Sequence, residues 1–302
     1  MKINNSNEDV SIGVIAPARP IYNIQKEIDD GITEIKSFGF NVKKSNNLNK
    51  KLFYSAGTVE ERVSDIHEMF SDKKVKAIIC ATGGASSNQL IEHLDFDLIK
   101  KNLKIFMGYS DITALLLAIN KKTSMPTFYG PMIRDFAGLT DEAKKFTEDL
   151  LKGKSKNLNY LQPYKTLRKG KVRGKLVGGV LTVFNSLLAT PYMPDLKGKI
   201  LFWEEVGTCP AQIDFLLQEL KLAGVFKKIK GMVVGYLSDC TDKKYPQDNR
   251  SIDEIILGRT KGFDFPIIKV DYFGHDVKNF LAIPIGTEAI IDTNKKIFSV
   301  KL

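Results

Sequence analysis

Along the first half of the chain, short apolar runs alternate with stretches whose apolar residues recur every three or four positions. Residues 11–16 read as a buried strand ending at Pro17, and Ile24, Ile28, Ile32 and Ile35 then fall on one helical face. A short strand at Asn41–Lys44 precedes a helix over 58–70, where Thr58 and Glu61 make a reciprocal cap ahead of Val63, Ile66 and Phe70. Residues 75–81 and 104–107 are nearly unbroken apolar strands, of the kind a parallel sheet covers on both faces. Residues 112–119, with Ala114, Leu115, Leu117 and Ala118, form a helix, followed by Thr-Phe-Tyr-Gly-Pro at 127–131 and a helix at Asp141–Leu151. This alternation predicts a doubly wound, parallel-sheet α/β domain over residues 1–153, with ligands at the carboxyl ends of its strands.

Residues 154–174 lack such a pattern and are polar and basic, so they are expected to be a linker between domains. Beyond it, over 175–302, Gly178 and Gly179 precede an apolar helix through Leu188. A strand over 199–203 runs directly into Glu204 and Glu205. A helix over 211–223, strands over 231–236 and 267–270, and short strands with a turn at Thr293 and Asn294 complete a second α/β domain. Residues 238–251 read as a loose surface loop, and no internal repeat is present.

Composition narrows the class without naming a chemistry. With 302 residues, 43% hydrophobic and 26% charged, the chain has the make-up of an ordinary globular protein of two domains. Its first ten residues carry no apolar core of a signal peptide, and no apolar run approaches bilayer length, so a cytoplasmic, membrane-independent protein is expected. Cys80, Cys209 and Cys240 are far apart and form no CxxC, which fits free thiols and offers no zinc spacing. The net charge of +10 raises nucleic-acid binding, yet the excess is mostly scattered lysine. Its one dense cluster, Lys165, Arg168, Lys169, Lys171, Arg173 and Lys175, lies in no recognised nucleic-acid module, so no nucleic-acid partner is expected. The cluster reads as solvated linker, or as a basic wall toward an anionic small substrate.

Candidate chemistry centres on Gly108–Asp111, Gly-Tyr-Ser-Asp, where a buried strand must turn sharply into a helix. Such a turn exposes the serine hydroxyl and points backbone amides at the group it attacks, as in a nucleophile elbow, although the closing glycine of G-x-S-x-G is missing. Ser110 or Asp111 as a plain helix cap explains the same residues. Thr82–Leu90, Thr-Gly-Gly-Ala-Ser-Ser-Asn-Gln-Leu, joins a strand end, a glycine pair and cap residues Ser86, Ser87 and Asn88, and reads as an anion or oxyanion site or as a tight turn. A serine nucleophile needs a base and an orienting carboxylate. Of the three histidines, His67 and His93 lie in amphipathic helical patterns as solvated residues, whereas His275 follows Gly274 in a loop after a strand and is the best base. Glu204, at a strand exit beside Trp203, is the leading orienter; Glu205 competes, but alternation sends the two to opposite faces.

These residues lie within motifs that resemble the LD-carboxypeptidase family of serine peptidases. The likeness runs through Ile-Gly-Val-Ile-Ala-Pro-Ala at 12–18, the 83–102 segment, 104–119, 127–131, 189–205, 212–224 and 273–286. Gly-Gly-Ala-Ser-Ser-Asn-Gln-Leu together with Tyr-Ser-Asp-Ile-Thr-Ala-Leu-Leu is most similar to the subgroup that includes the microcin C resistance protein MccF. The resemblance implies that Ser110 is the nucleophile, Glu204 the orienter and His275 the general base, with the amides of Gly84 and Asp111 as the oxyanion hole. It implies no metal or other cofactor, a homodimer, and a small substrate that is either a murein peptide ending in D-alanine or an aminoacyl-nucleotide. For the nucleotide, Tyr160, Tyr164 or Trp203 would be the stacking group. The chain departs from the family at Val180, where asparagine is common, at Thr208, where glutamate is common, and at Phe215, where arginine is common, so substrate contacts do not transfer. A binding protein that keeps the fold without catalysis is the rival from another class.

Overall fold

The computed structural model describes residues 10–154, 157–159 and 164–302. Its elements begin β1 (Ser11–Ile15), α1 (Gln25–Ser37), β2 (Asn41–Lys44), α2 (Val59–Ser71), β3 (Val75–Cys80), α3 (Phe96–Lys101), β4 (Ile105–Gly108), α4 (Thr113–Thr123), β5 (Thr127–Tyr129) and α5 (Asp141–Leu151). They continue β6 (Asn157–Asn159), β7 (Lys165–Arg168), β8 (Lys171–Val180), α6 (Leu181–Ser186), β9 (Ile200–Val206), α7 (Pro210–Leu222), α8 (Val225–Lys228), β10 (Gly231–Ser238), α9 (Ile252–Arg259), β11 (Ile267–Lys269), β12 (Ile283–Ile285), β13 (Glu288–Asp292) and β14 (Ile297–Lys301). The chain forms two compact units, Met1–Lys156 with Lys278–Ile285, and Asn157–Val277 with Gly286–Leu302.

In the first unit the strands run in the order β12-β5-β4-β3-β1-β2. β2, β1, β3, β4 and β5 are parallel. Because β1 lies between β2 and β3, the winding reverses there and a crevice opens at the carboxyl ends of β1 and β3. The isoleucine spacing gives α1, which buries Ile28, Ile32 and Ile35. α2 starts where the reciprocal cap forms, with Thr58 Oγ1 accepting from the Glu61 amide at 3.2 Å and Glu61 Oε2 accepting from the Thr58 amide at 2.9 Å. No basic residue stands in the last turn of α2. Its exposed carbonyls are met instead by Lys104, whose buried Nζ donates to Met69 O at 2.7 Å and to Asp72 O. β12 was not foreseen as part of this sheet. It pairs antiparallel with β5, Pro284 opposite Phe128, at the sheet edge where a strand proline loses no ladder bond it needs.

The second unit carries a sheet ordered β6-β14-β13-β8-β9-β10-β11-β7. Its centre, β8 to β11, is parallel. Its flanks are antiparallel. The stretch expected as a linker is therefore largely strand: β6, β7 and the start of β8 lie within it. Lys171, Arg173 and Lys175 are exposed and alternate with the half-buried Val172 and Gly174, a period-two pattern that the lysine content disguised. Several of these cations are already engaged within the unit. Lys165 pairs with Asp253 at 2.7 Å, Lys171 with Asp292 at 3.5 Å and Arg173 with Glu288 at 2.6 Å. Arg168 donates to Thr260 O at 3.1 Å and to its Oγ1 at 2.8 Å.

Gly178 and Gly179 lie at the end of β8 and so just ahead of α6, which ends at Ser186 rather than running through Leu188. A Cβ on Gly178 would lie 1.7 Å from the carbonyl oxygen of Phe202, so β8 and β9 approach as only glycine allows. The polar stretch after β10 is tied by Asp242 and Asn249, whose side chain accepts from the Asp242 amide at 2.8 Å, and α9 comes after it without having been expected.

Candidate active site

β4 is buried throughout and delivers the chain to Tyr109 and Ser110 at its carboxyl end. Ser110 adopts φ +62°, a left-handed conformation that costs a non-glycine residue about 1–2 kcal/mol. A short 3-10 turn, Ser110–Ile112, then leads into α4. The turn is held by Thr113 Oγ1 donating to Ser110 O at 2.7 Å and by the Ile112 amide donating to Tyr109 O at 3.2 Å.

The loop after β3 lies against this turn. A Cβ on Gly83 would stand 2.9 Å from Ser110 Cβ, 3.1 Å from Ser110 Oγ and 3.7 Å from the amide nitrogen of Asp111. Ser86 and Ser87, expected as helix caps, do not cap with their side chains; their amides donate to Asp111 Oδ2 at 3.0 and 2.9 Å, and Ser87 Oγ donates to Asp111 O at 2.8 Å. The chain continues from Ser86 into a 3-10 helix, Ser87–His93. The far side of the loop is clamped by Arg62, 2% exposed. Its guanidinium donates to Pro17 O and Ser86 O at 3.0 Å each and to Gln89 Oε1 at 2.9 Å. Sequence reasoning missed this clamp, because an arginine on a helix otherwise reads as solvated.

The second unit brings Glu204 and His275 together. Glu204 stands near the carboxyl end of β9, fully buried, and both its carboxylate oxygens lie 3.0 Å from His275 Nδ1. The His275 amide also donates to Glu204 Oε2 at 3.4 Å. A carboxylate at Nδ1 fixes the proton on that nitrogen and leaves the lone pair on Nε2. Burial pushes the His275 pKa down, but the Glu204 hydrogen bond and charge, helped by Asp276 and Glu205, outweigh it, so the net shift is upward. Glu205 faces the other way, accepting from the Thr182 amide at 2.8 Å and Thr182 Oγ1 at 2.6 Å. Burial raises the pKa of Glu205 despite these bonds.

The other candidates fall away on geometry. His93 is exposed, whereas His67 is half-buried and accepts from the Asp95 amide at 2.9 Å, contrary to the solvated role expected of it. Trp203 is wholly buried and cannot stack on a ligand. Tyr164 donates to Asp292 O at 3.3 Å, and Tyr160 lies outside the described residues. Burial raises the Cys80 thiol well above its ordinary range and Cys240 to about 11, so neither supplies a thiolate at neutral pH. No cluster of three metal-ligating side chains occurs among the described residues, and no helix among them is long and apolar enough to cross a membrane.

A parallel sheet with a left-handed serine at a strand end in one unit, and a sheet carrying a buried Glu–His pair in the other, make this a two-domain α/β protein. Residues 12–130 match the LD-carboxypeptidase N-terminal domain and residues 173–291 the LD-carboxypeptidase C-terminal domain, and the chain belongs to that family. It is 35% identical over 295 residues to the "Probable murein peptide carboxypeptidase" of Bacillus subtilis, covering 96% of this chain and 91% of that protein. MccF solved in complex with glutamyl sulfamoyl guanosine superposes with a TM-score of 0.87 at 26% identity, over 98% of this chain and 97% of that one. A muramoyltetrapeptide carboxypeptidase from Oxalobacter formigenes gives 0.84 at 26% identity, over 96% and 98%.

Proposed function

We propose that the chain is a serine LD-carboxypeptidase that removes a terminal D-alanine from murein peptides in wall recycling, with Ser110, His275 and Glu204 acting as one triad. The observation that carries this reading is the buried Glu204 carboxylate at 3.0 Å from His275 Nδ1, which prepares Nε2 to take a proton. Ser110 Oγ, stripped of its proton by Nε2, attacks the carbonyl that joins the diamino acid to D-alanine. The negative oxygen is received by the amides of Gly84 and Asp111, whose loops the Asp111–Ser86–Ser87 bonds fix in advance. His275 returns the proton to the departing amine, and water then releases the acyl group from Ser110 by the same route in reverse. The reaction takes place in the cytoplasm, in a homodimer.

A second reading, an amidase acting on aminoacyl-nucleotides, draws support from the likeness to MccF bound to glutamyl sulfamoyl guanosine. The burial of Trp203 weighs against it, since it removes one expected stacking surface. Product analysis by mass spectrometry separates them: wild type and Ser110→Ala each receive a murein tetrapeptide and an aminoacyl-sulfamoyl adenosine. D-alanine release by wild type alone supports the carboxypeptidase. Cleavage of the nucleotide conjugate alone replaces it with the amidase, and turnover of neither leaves a ligand-binding role.

A further inference from the structure

At the crevice where the first sheet reverses its winding, two arginines converge on the loop that faces Ser110. Arg19 comes just after β1, and its amide donates to Gly83 O at 3.2 Å. Arg134 comes just after β5, and its amide donates to Ala81 O at 3.3 Å. The glycine pair sets the spacing. Gly83 abuts the Ser110 side chain, while a Cβ on Gly84 would stand 2.7 Å from the Arg19 nitrogen and 3.1 Å from Arg19 Cβ. Ser110 and Arg19 therefore abut consecutive residues of the same loop.

The charges here do not balance. Arg134 Nε lies 3.6 Å from Asp135 Oδ1, and that same carboxylate oxygen accepts from Tyr109 Oη at 3.3 Å. Asp135 Oδ2 is taken by the Met132 amide at 2.9 Å. The Asp111 carboxylate serves the Ser86 and Ser87 amides. Arg19 Nε is buried and has no hydrogen-bond partner among the described residues. A buried donor left unmatched costs about 1–3 kcal/mol, a cost that an anionic ligand would remove. Burial first, then the like charge of Arg134, lowers the Arg19 pKa, against an opposing pull from Tyr109 and Asp135.

We propose that Arg19 and Arg134 form the subsite that receives the terminal carboxylate of the peptide substrate beside Ser110. This rests on the carboxypeptidase reading above. In a peptide ending in D-alanine the carboxylate carbon is three bonds from the attacked carbonyl carbon, so the group that receives it belongs close to Ser110, on the loop that Ser110 and Arg19 both abut. Guanidinium groups bind carboxylates through paired N–H donors, so the subsite selects a free chain end over an internal or amidated one.

The test uses the full chain and two probes, a murein tetrapeptide ending in D-alanine and the same peptide as its C-terminal amide. Wild type should favour the free acid, and Arg19→Gln or Arg134→Gln should lower kcat/KM on the acid about ten- to hundredfold, with the acid-over-amide ratio falling by the same factor. Arg19→Lys should recover part of that ratio, and circular dichroism should show each variant folded. Equal losses on acid and amide, or no loss, overturn the subsite. If wild type turns over neither peptide, the carboxypeptidase reading fails by itself and the subsite is decided by calorimetric titration of Ser110→Ala. Tighter binding of the acid, lost on adding Arg19→Gln, upholds it; equal binding of both peptides, or of neither, overturns it.

Discussion

Glu204→Gln replaces the carboxylate on His275 by an isosteric amide and leaves the backbone of β9 unchanged. In the wild type, burial of His275 opposes its protonation and the Glu204 hydrogen bond and charge more than compensate. Removing the charge leaves the burial, so the His275 pKa falls. A general base works when deprotonated, so the acid limb of kcat/KM should lie at a higher pH in wild type than an ordinary imidazole would give, and should move to lower pH in the variant. The plateau must fall as well. Gln cannot stabilise the imidazolium formed during attack, and it can present its amide to Nδ1 and so favour the wrong tautomer. In a serine protease triad the equivalent isosteric change costs about 10⁴ in kcat, or about 5 kcal/mol of transition-state stabilisation. The assay is D-alanine release from a murein tetrapeptide across pH, with urea unfolding to show that the variant is folded. An acid limb that stays where wild type has it, or a plateau within about tenfold, would refute the role assigned to the 3.0 Å contact.

Three further outcomes are expected. Arg62→Met should destabilise the first unit by about 1–3 kcal/mol, because it strands the acceptor Pro17 O and leaves Ser86 O with only the Gln89 amide; a change under about 0.5 kcal/mol in urea unfolding would show the clamp to be dispensable. Gly178→Ala should cost more than about 4 kcal/mol or prevent folding, since its methyl would overlap Phe202 O at 1.7 Å, and soluble expression with an unchanged melting temperature would contradict the β8–β9 approach. Burial lowers the Lys104 pKa from 10.5 to about 8, so between those values the unfolded chain holds more protons than the folded one. The Lys104 contribution to stability is therefore full above about 10.5 and lost as pH falls through about 8, and wild type should gain on Lys104→Met as pH rises across that window in parallel denaturation series.

Elements governed by local rules were legible in the sequence. The Thr58–Glu61 cap and the three isoleucines of α1 need only near neighbours, and the opposite facing of Glu204 and Glu205 comes from strand geometry. The features that escaped depended on partners distant in the chain. β7 and β8 looked like a charged linker because their cations are answered by Asp253, Glu288 and Asp292, more than eighty positions away. β12 is three residues long with a central proline, too short for any periodicity to register. Arg62, Lys104 and the Arg19–Arg134 pair each look like surface cations until the loops they meet are folded.

The return of Lys278–Ile285 to the first unit bears on how the protein is made. A ribosome releases the parallel core of that unit after some 130 residues, yet the outer edge of β5 stays bare until Ile285 has left the exit tunnel, more than half the chain later. For about half of synthesis the nascent protein thus carries an open strand edge, a surface on which other chains can template. A recombinant fragment cut at Lys156 would keep that edge for good. Its closing segment begins at Lys278, three residues past His275, so completing the first sheet and tethering the histidine loop are a single late event in the life of each molecule.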